Sequence, residues 1–305
     1  MKIVVSTILF LCNWLFVYGQ KETDYYFYFE QILKANEEIS NRNYSESLKF
    51  YLNTFKNYNF VFACDAYNAC QIASLINRKE EIDSLIYLCG KSGISKSRLF
   101  KNRYIFREYQ SDTIKYNSFY LSGRKEYLKR VDYSLRNEIQ KRYTLEQKNK
   151  GGKNYKDICN ENFNRILELC KKGRFPGEQL IGIDDELGNA VVFATLANYP
   201  NSYLILRQYL DSALKYGEAR PLQIIYLYGM NQSRVSALYK KKNDVNIEYD
   251  TLNFKIYFNI GFGKRSDCID EVNAERKKLN IFSIETENKL NGVIKQDSLD
   301  FRWGY

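Results

Sequence analysis

The sequence predicts a mostly α-helical fold, in which helix-turn-helix repeats are followed by a helical bundle with a small β-hairpin. Only 3 of the 305 residues are proline, which favours uninterrupted helices. The 27 tyrosines and 19 phenylalanines supply enough apolar surface for a packed core. The N-terminal half also matches itself at an offset of 35 residues, a period typical of paired-helix repeats. The predicted organisation is a signal peptide (1–19), helical repeats (20–112) and a helical domain (113–305) with its hairpin at about 244–260.

The first residues have the pattern of a secretory signal peptide. A single positive charge at Lys2 precedes an apolar run from Ile3 to Phe16, and the small-residue pattern Val17-Tyr18-Gly19 follows. The run is shorter than the ~20 residues that span a bilayer as a helix. We therefore expect cleavage after about Gly19 and a mature chain without a transmembrane helix, secreted or periplasmic. The alternative is an uncleaved membrane anchor.

Composition excludes several classes of function. The chain has 0 histidines, so Ser-His and Cys-His nucleophile pairs and imidazole metal sites are ruled out. The formal net charge is +10, which favours anionic partners. The basic residues are spread along the whole chain, however, and we interpret them as a solvated surface and not as a nucleic-acid site. We expect no cofactor and no metal.

The spacing of the cysteines favours buried core positions over disulfides. Six of the 7 follow the predicted cleavage site, and they form no CxxC motif. Cys159 and Cys170 lie three turns apart if they share a helix, too far for a bond. Cys70 and Cys89 fall where two helices of one hairpin cross closely. We expect them to be small core residues, with a disulfide as the alternative.

The repeat match pairs small or apolar residues at four sites. Ala35, Ser47, Tyr51 and Thr54 fall on Cys70, Ile82, Ile86 and Cys89. A helix-turn-helix unit needs small side chains where its helices cross and larger ones where it meets its neighbour. Helices are expected over 45–58 and 66–76, and a third unit is expected to begin within 99–109.

These segments resemble the tetratricopeptide repeat. Tyr44, Ser47 and Tyr51 stand at its aromatic-x-x-small-x-x-x-aromatic positions, while Arg42 and Asn77 replace the glycine of its inter-helix turn. The resemblance implies a concave groove lined by the first helix of each unit. The side chains it places towards a bound peptide or the next domain are Asn36, Tyr67, Gln71 and Ser74. The alternative interpretation is that these helices only brace the C-terminal half.

The C-terminal half reads as a series of short-looped helices, as expected of a bundle. Helices are predicted over 135–150, 156–172, 186–197, 200–216 and 221–228, and most are bounded by glycine or proline. Alternating apolar residues then predict the hairpin near 244–260. The carboxylates at 184–186 are interpreted as helix-capping residues and not as a metal site. Gly261-Phe262-Gly263-Lys264 lacks the spacing of a phosphate-binding loop.

Residues 133–290 resemble a bacterial helical domain family of unknown function. Phe175-Pro176 stands at its Trp-Pro turn, Ile181-Gly182 at its Val-Gly pair, Gly217-Glu218 at its Gly-Glu, and Glu275-Arg276-Lys277 in its late helix. The chain departs from the family at Ala194-Thr195, where the family has Gln-His. A site built on that pair would be lost here.

Together these patterns predict an exported helical-repeat protein that binds another protein or an envelope component and is not a nucleic-acid-binding protein. Besides the groove residues, we expect Arg174 and Phe175 to contribute to binding. The alternative is a histidine-independent enzyme in the C-terminal domain, whose reaction the sequence does not identify. A third hypothesis is electrostatic attachment to the anionic envelope, which predicts binding that collapses as salt rises.

Overall fold

The computed structural model describes residues 24–183, 190–241 and 269–300, apart from the side chains of residues 232–241 and 275. Every regular element in these ranges is a helix, so the prediction of a mostly α fold is confirmed. The helices are α1 (Tyr25–Ser40), α2 (Tyr44–Lys56), α3 (Ala63–Leu75), α4 (Lys79–Ser92), α5 (Lys96–Leu99), α6 (Arg103–Ser111), α7 (Thr113–Arg130), α8 (Tyr133–Lys148), α9 (Tyr155–Lys171), α10 (Glu178–Ile181), α11 (Ala190–Ala197), α12 (Ser202–Lys215), α13 (Pro221–Lys241), α14 (Ile269–Lys278) and α15 (Ile284–Gln296).

The predicted β-hairpin is wrong as part of the fold class. The ranges that the structure describes contain helices and no strand, and the segment 244–260 itself lies outside them. Alternation of apolar residues is a local signal, whereas a two-stranded hairpin has little stability without a further strand or a packed face. No described element offers such a strand. The carboxylates at 184–186 and Cys268 also lie outside the described residues.

Two helix pairs give the N-terminal half its repeat character. Helices α1 and α2 form the first pair and α3 and α4 the second. The turns that join them contain Arg42 (φ 60°) and Asn77 (φ 58°) in the left-handed conformation, at the two positions where the repeat pattern has glycine. All eight side chains matched by the 35-residue offset are buried. The chain thus has a helical-repeat-like all-α fold, consistent with tetratricopeptide-like units.

Helices α6 and α7 continue the stack. Helix α7 lies along α4, and the two meet at Gly90 and Gly123, where each glycine faces backbone of the opposite helix. A Cβ atom on Gly123 would overlap the carbonyl oxygen of Tyr87, and one on Gly90 would overlap that of Tyr120. Only glycine therefore permits this close crossing.

The second half forms a bundle of short helices, α8 to α13, that pack on one another. Their bounds agree with the predicted helices to within two residues, with two exceptions. The start predicted at 186 lies outside the described residues, and α13 continues past Gly229 to Lys241 instead of ending. A glycine within a helix costs only about 1 kcal/mol relative to alanine, which packing of an apolar helix easily outweighs. Helix α15 then packs against α1, which returns the chain to the repeats. The division predicted at residue 112 stays a prediction.

A buried ion pair links the repeats to the bundle. The guanidinium of Arg220, just before α13, binds both carboxylate oxygens of Asp65 in α3 at 3.0 Å. The Tyr28 hydroxyl of α1 donates to the same carboxylate at 2.8 Å. The guanidinium lies 4.8 Å from the centre of the Phe62 ring. One enclosed polar cluster thus joins α1 and α3 of the repeats to the start of α13 in the bundle.

The cysteines of the described residues lie in the interior, at positions Cys64, Cys70, Cys89, Cys159 and Cys170. Burial raises the pKa of the Cys89 thiol well above its usual value, and the neighbouring Cys70 thiol adds to the shift. Among the described helices, none is both long and apolar enough to cross a membrane.

We expect Gly123→Ala to destabilise the protein by about 2 kcal/mol, because overpacking against fixed backbone typically costs 1–3 kcal/mol. The matched control is Gly292→Ala in α15, whose Cβ would meet no atom within 4 Å and which should stabilise by up to ~1 kcal/mol through helix propensity. Urea unfolding followed by circular dichroism measures both. Equal stability of the two variants would contradict the close crossing of α4 and α7.

A second prediction concerns Glu178, whose carboxylate accepts a hydrogen bond from the Ala63 N–H at 2.6 Å. Burial raises its pKa from 4.5 to about 7. The folded state therefore keeps a proton that the unfolded state releases, and stability falls as pH rises from about 4.5 to about 7. Glu178→Gln removes this loss. Relative to the wild type, the free energy of unfolding of the variant should rise by on the order of 3 kcal/mol between pH 4.5 and pH 8. A difference that stays constant across that range would refute the raised pKa of Glu178.

Candidate binding groove

Polar side chains from four repeat elements converge on the end of the described chain. We call residues 297–300 the C-terminal segment. It lies in a groove whose polar lining is Arg42, Tyr44, Tyr67, Gln71, Asn102, Arg103 and Tyr104. These residues come from the α1–α2 turn, from α2 and α3, and from the start of α6. The groove thus combines two residues of α3, Tyr67 and Gln71, with residues of the α1–α2 turn, of α2 and of α6.

Local chemistry directs the C-terminal segment into the groove. Helix α15 ends at Gln296, and Ser298 adopts the left-handed conformation (φ 51°) that stops it. The Leu299 N–H donates to the Ile294 carbonyl at 2.9 Å, which closes the turn. The Leu299 side chain is buried in the core. The side chains of Asp297 and Asp300, in contrast, bind residues of the groove.

Asp297 is bound through both its side-chain carboxylate and its backbone carbonyl. Arg42 Nε lies 3.2 Å from the Asp297 carboxylate, and the Tyr44 hydroxyl donates to the same group. Partial burial acts to raise the pKa of Asp297, but these hydrogen bonds outweigh it and hold the pKa below its usual range. Arg103 Nη2, at 3.1 Å, and the Tyr104 hydroxyl donate to the Asp297 carbonyl oxygen.

The second aspartate contacts two residues of α3, one turn apart. The Tyr67 hydroxyl donates to the Asp300 carboxylate at 2.8 Å. The Asp300 backbone N–H donates to Gln71 Oε1 at 2.7 Å. Burial raises the pKa of the Tyr67 hydroxyl, and the Asp300 carboxylate adds to that shift, so Tyr67 acts as a hydrogen-bond donor at any physiological pH.

Asn102 fixes the two α3 side chains in place. Its Oδ1 caps α6 by accepting from the N–H groups of Tyr104 and Ile105. Its Nδ2 donates to Gln71 Oε1 and, at 3.2 Å, to the Tyr67 hydroxyl. Asn102 is only 6% exposed. One buried amide thus connects the start of a helix with both residues that hold Asp300.

Two of the predicted groove residues, Tyr67 and Gln71, therefore meet in one site. The other two lie apart from it. Asn36 is buried and accepts from the Tyr51 hydroxyl at 2.7 Å. Ser74 is buried and donates to the Cys70 carbonyl of its own helix at 2.9 Å. Neither contacts the C-terminal segment.

The predicted turn residues of the bundle are also separate from the groove. Arg174 pairs with Asp132 at 2.9 Å, and its side chain is 49% exposed. Phe175 is buried with its ring centre 5.7 Å from that of Phe193. The structure thus places a surface ion pair and a core aromatic at these two positions.

Sequence reasoning missed five groove residues: Arg42, Tyr44, Asn102, Arg103 and Tyr104. Arg42 and Tyr44 were noted only for their places in the repeat pattern. The position of Asn102 offered a local signal, because an asparagine just before an apolar-periodic segment is typical of a helix N-cap. The contacts of Arg103 and Tyr104 with a segment nearly two hundred residues later had no local signal.

A small cavity of about 50 Å³ lies beside the Asp65–Arg220 pair. Asn36 and Asn68 also line it, as do apolar side chains of α1 and the residues before α15. The charges of Asp65 and Arg220 are matched by each other at 3.0 Å. Within the described ranges, no group of three or more histidine, cysteine, aspartate or glutamate side chains has the arrangement of a metal site.

In comparisons with protein-family models, with curated proteins and with solved structures, nothing matches this chain.

We expect Tyr67→Phe to loosen the C-terminal segment without unfolding the repeats. A hydrogen bond to a charged acceptor contributes about 1.5 kcal/mol, so the Asp300 amide should exchange with solvent on the order of 10-fold faster. Hydrogen exchange resolved by NMR or mass spectrometry measures this rate. The matched control is Tyr216→Phe, on an exposed tyrosine outside the groove. Identical exchange in both variants would mean that Tyr67 does not hold the segment.

Proposed function

We propose that this chain is an exported binding protein whose helical-repeat groove takes an extended segment of another protein. One observation carries the proposal: the groove holds a short non-helical stretch of polypeptide, residues 297–300, through side chains of four repeat elements. We also propose that the repeats are degenerate tetratricopeptide units. The two left-handed turns at Arg42 and Asn77 and the eight buried repeat positions support this.

The groove contacts are of a kind that a peptide from another chain would also offer. The hydrogen-bond donors of the groove bind carboxylates and a backbone carbonyl, and Gln71 Oε1 accepts from a backbone N–H. A groove lined by asparagine, glutamine and tyrosine is suited to peptide recognition, in which main-chain hydrogen bonds supply affinity and side-chain contacts supply specificity.

The alternative of an enzyme is less well supported. Catalysis requires convergent ionisable groups that are free to act on a substrate. At the cavity beside α3, Asp65 and Arg220 bind each other at 3.0 Å, and Tyr28 donates to the same carboxylate. This arrangement stabilises a fold and leaves the carboxylate and guanidinium engaged.

Export and an envelope partner are supported by sequence. The signal-peptide pattern ending near Gly19 leads the chain out of the cytoplasm, and the net charge of +10 favours anionic surfaces. Charge attraction alone would weaken steeply with salt. Groove recognition, which includes hydrogen bonds to backbone atoms, should persist at physiological salt.

The test is selection of binding peptides from a displayed library of random 12-residue segments at physiological salt. The targets are the mature chain from residue 20 and its Asp297→Asn, Asp300→Asn form, in which the groove is easier to enter. We expect enriched peptides that lose at least about 10-fold in affinity on Tyr67→Phe, the hydrogen bond to a charged acceptor being worth about 1.5 kcal/mol. The control Tyr216→Phe should bind them unchanged.

Enrichment of no peptide on either target, or of peptides insensitive to Tyr67→Phe, would refute the groove as a recognition surface. Circular dichroism of each variant confirms that the fold is retained.

A further inference from the structure

The C-terminal segment presents a specific chemical pattern to the groove. Two carboxylates three positions apart, at Asp297 and Asp300, are held at opposite ends. Between them Leu299 is buried at 6% exposure. The groove also binds the backbone carbonyl of the first aspartate and the N–H of the second. Read as a recognition sequence, this is Asp-x-Leu-Asp.

Charge in the groove favours such a segment. Arg42 and Arg103 contact the Asp297 carboxylate and carbonyl, respectively. Arg98 lies over the Tyr67 ring, 5.7 Å from its centre. Two guanidinium groups therefore bind the segment and a third lies beside the tyrosine that binds Asp300. Charge-assisted hydrogen bonds are stronger than neutral ones.

The resident segment leaves some donors of the groove unused. Among the described residues, the buried Nε2 of Gln71 and Nε of Arg98 have no hydrogen-bond partner. Gln71 is fully buried, and its other amide atom binds the Asp300 N–H. A ligand that also accepts from these donors would satisfy groups that the chain's own segment does not.

We infer that the groove recognises an aspartate-x-leucine-aspartate segment of a partner protein, and that residues 297–300 are its resident competitor. The inference rests on the proposed function and adds the class of ligand and its regulation. Because the segment is attached to α15, its local concentration is high and a free ligand must displace it. The apparent affinity of the wild type is then reduced by the small fraction of open groove.

The probe is a fluorescent peptide with the sequence of residues 294–300, Ile-Lys-Gln-Asp-Ser-Leu-Asp. Its matched control replaces both aspartates with asparagine. Binding is measured by fluorescence anisotropy on three mature chains: the wild type, a segment variant (Asp297→Asn, Asp300→Asn) and a groove variant (Arg42→Gln, Tyr67→Phe). A single Asp300→Asn variant serves if the double segment variant does not fold.

We expect the aspartate peptide to bind the segment variant at least about 10-fold more tightly than the wild type, since a weakened competitor frees the groove. The asparagine peptide should bind at least about 10-fold more weakly, because it lacks the charged acceptors. The groove variant should lose binding of the aspartate peptide.

Three results would overturn the inference while leaving the proposed function in place. Equal binding of the aspartate and asparagine peptides would show that the carboxylates are not recognised. Equal affinity of the wild type and the segment variant would show that the segment does not compete. If the probe fails to bind but the library yields peptides sensitive to Tyr67→Phe, the ligand class is wrong. If both fail, the proposed function fails as well.

Discussion

The buried pair of Asp65 and Arg220 is the interaction on which the arrangement of the two halves depends. Both side chains are almost entirely removed from water, so each charge needs the other. Burial acts to lower the pKa of Arg220, but the Asp65 charge outweighs it and raises that pKa. Removing one partner of such a pair typically costs 3–5 kcal/mol. The pair therefore fixes the start of α13 against α3, and with Tyr28 it also fixes α1.

Helix α3 has the central place in this arrangement because it is buried on every side. Its polar residues Asp65, Asn68, Gln71 and Ser74 follow one another at three-residue spacing, and all are 1% exposed or less. Each needs a partner away from water. Asp65 finds it in the bundle, and Gln71 finds it in Asn102 and the C-terminal segment. The same helix thus joins the two halves at one end and lines the groove towards the other.

The groove follows from how the chain closes on itself. Helix α15 packs against α1, the first helix of the repeats, and so brings residues 297–300 across α2, α3 and α6. Arg42 serves two purposes there, since its left-handed backbone makes the turn between α1 and α2 and its guanidinium binds Asp297. With α15 packed on α1, residues 297–300 cover the polar side chains of the groove.

The helical class and the repeat positions such as Ala35 and Cys70 could be predicted from the sequence, because they depend on spacing within one helix or one helix pair, which local periodicity encodes. The groove positions came from the resemblance to a repeat family, which named Asn36 and Ser74 as well as Tyr67 and Gln71. Local pattern misjudged the hairpin and the helix end at Gly229, where it competes with packing. The partners of the buried polar groups depend on tertiary packing. Arg220 lies 155 positions from Asp65, and Asp300 lies 233 from Tyr67. No periodicity links residues so far apart, and the contact of Asp300 with Tyr67 arises only once α15 has packed against α1.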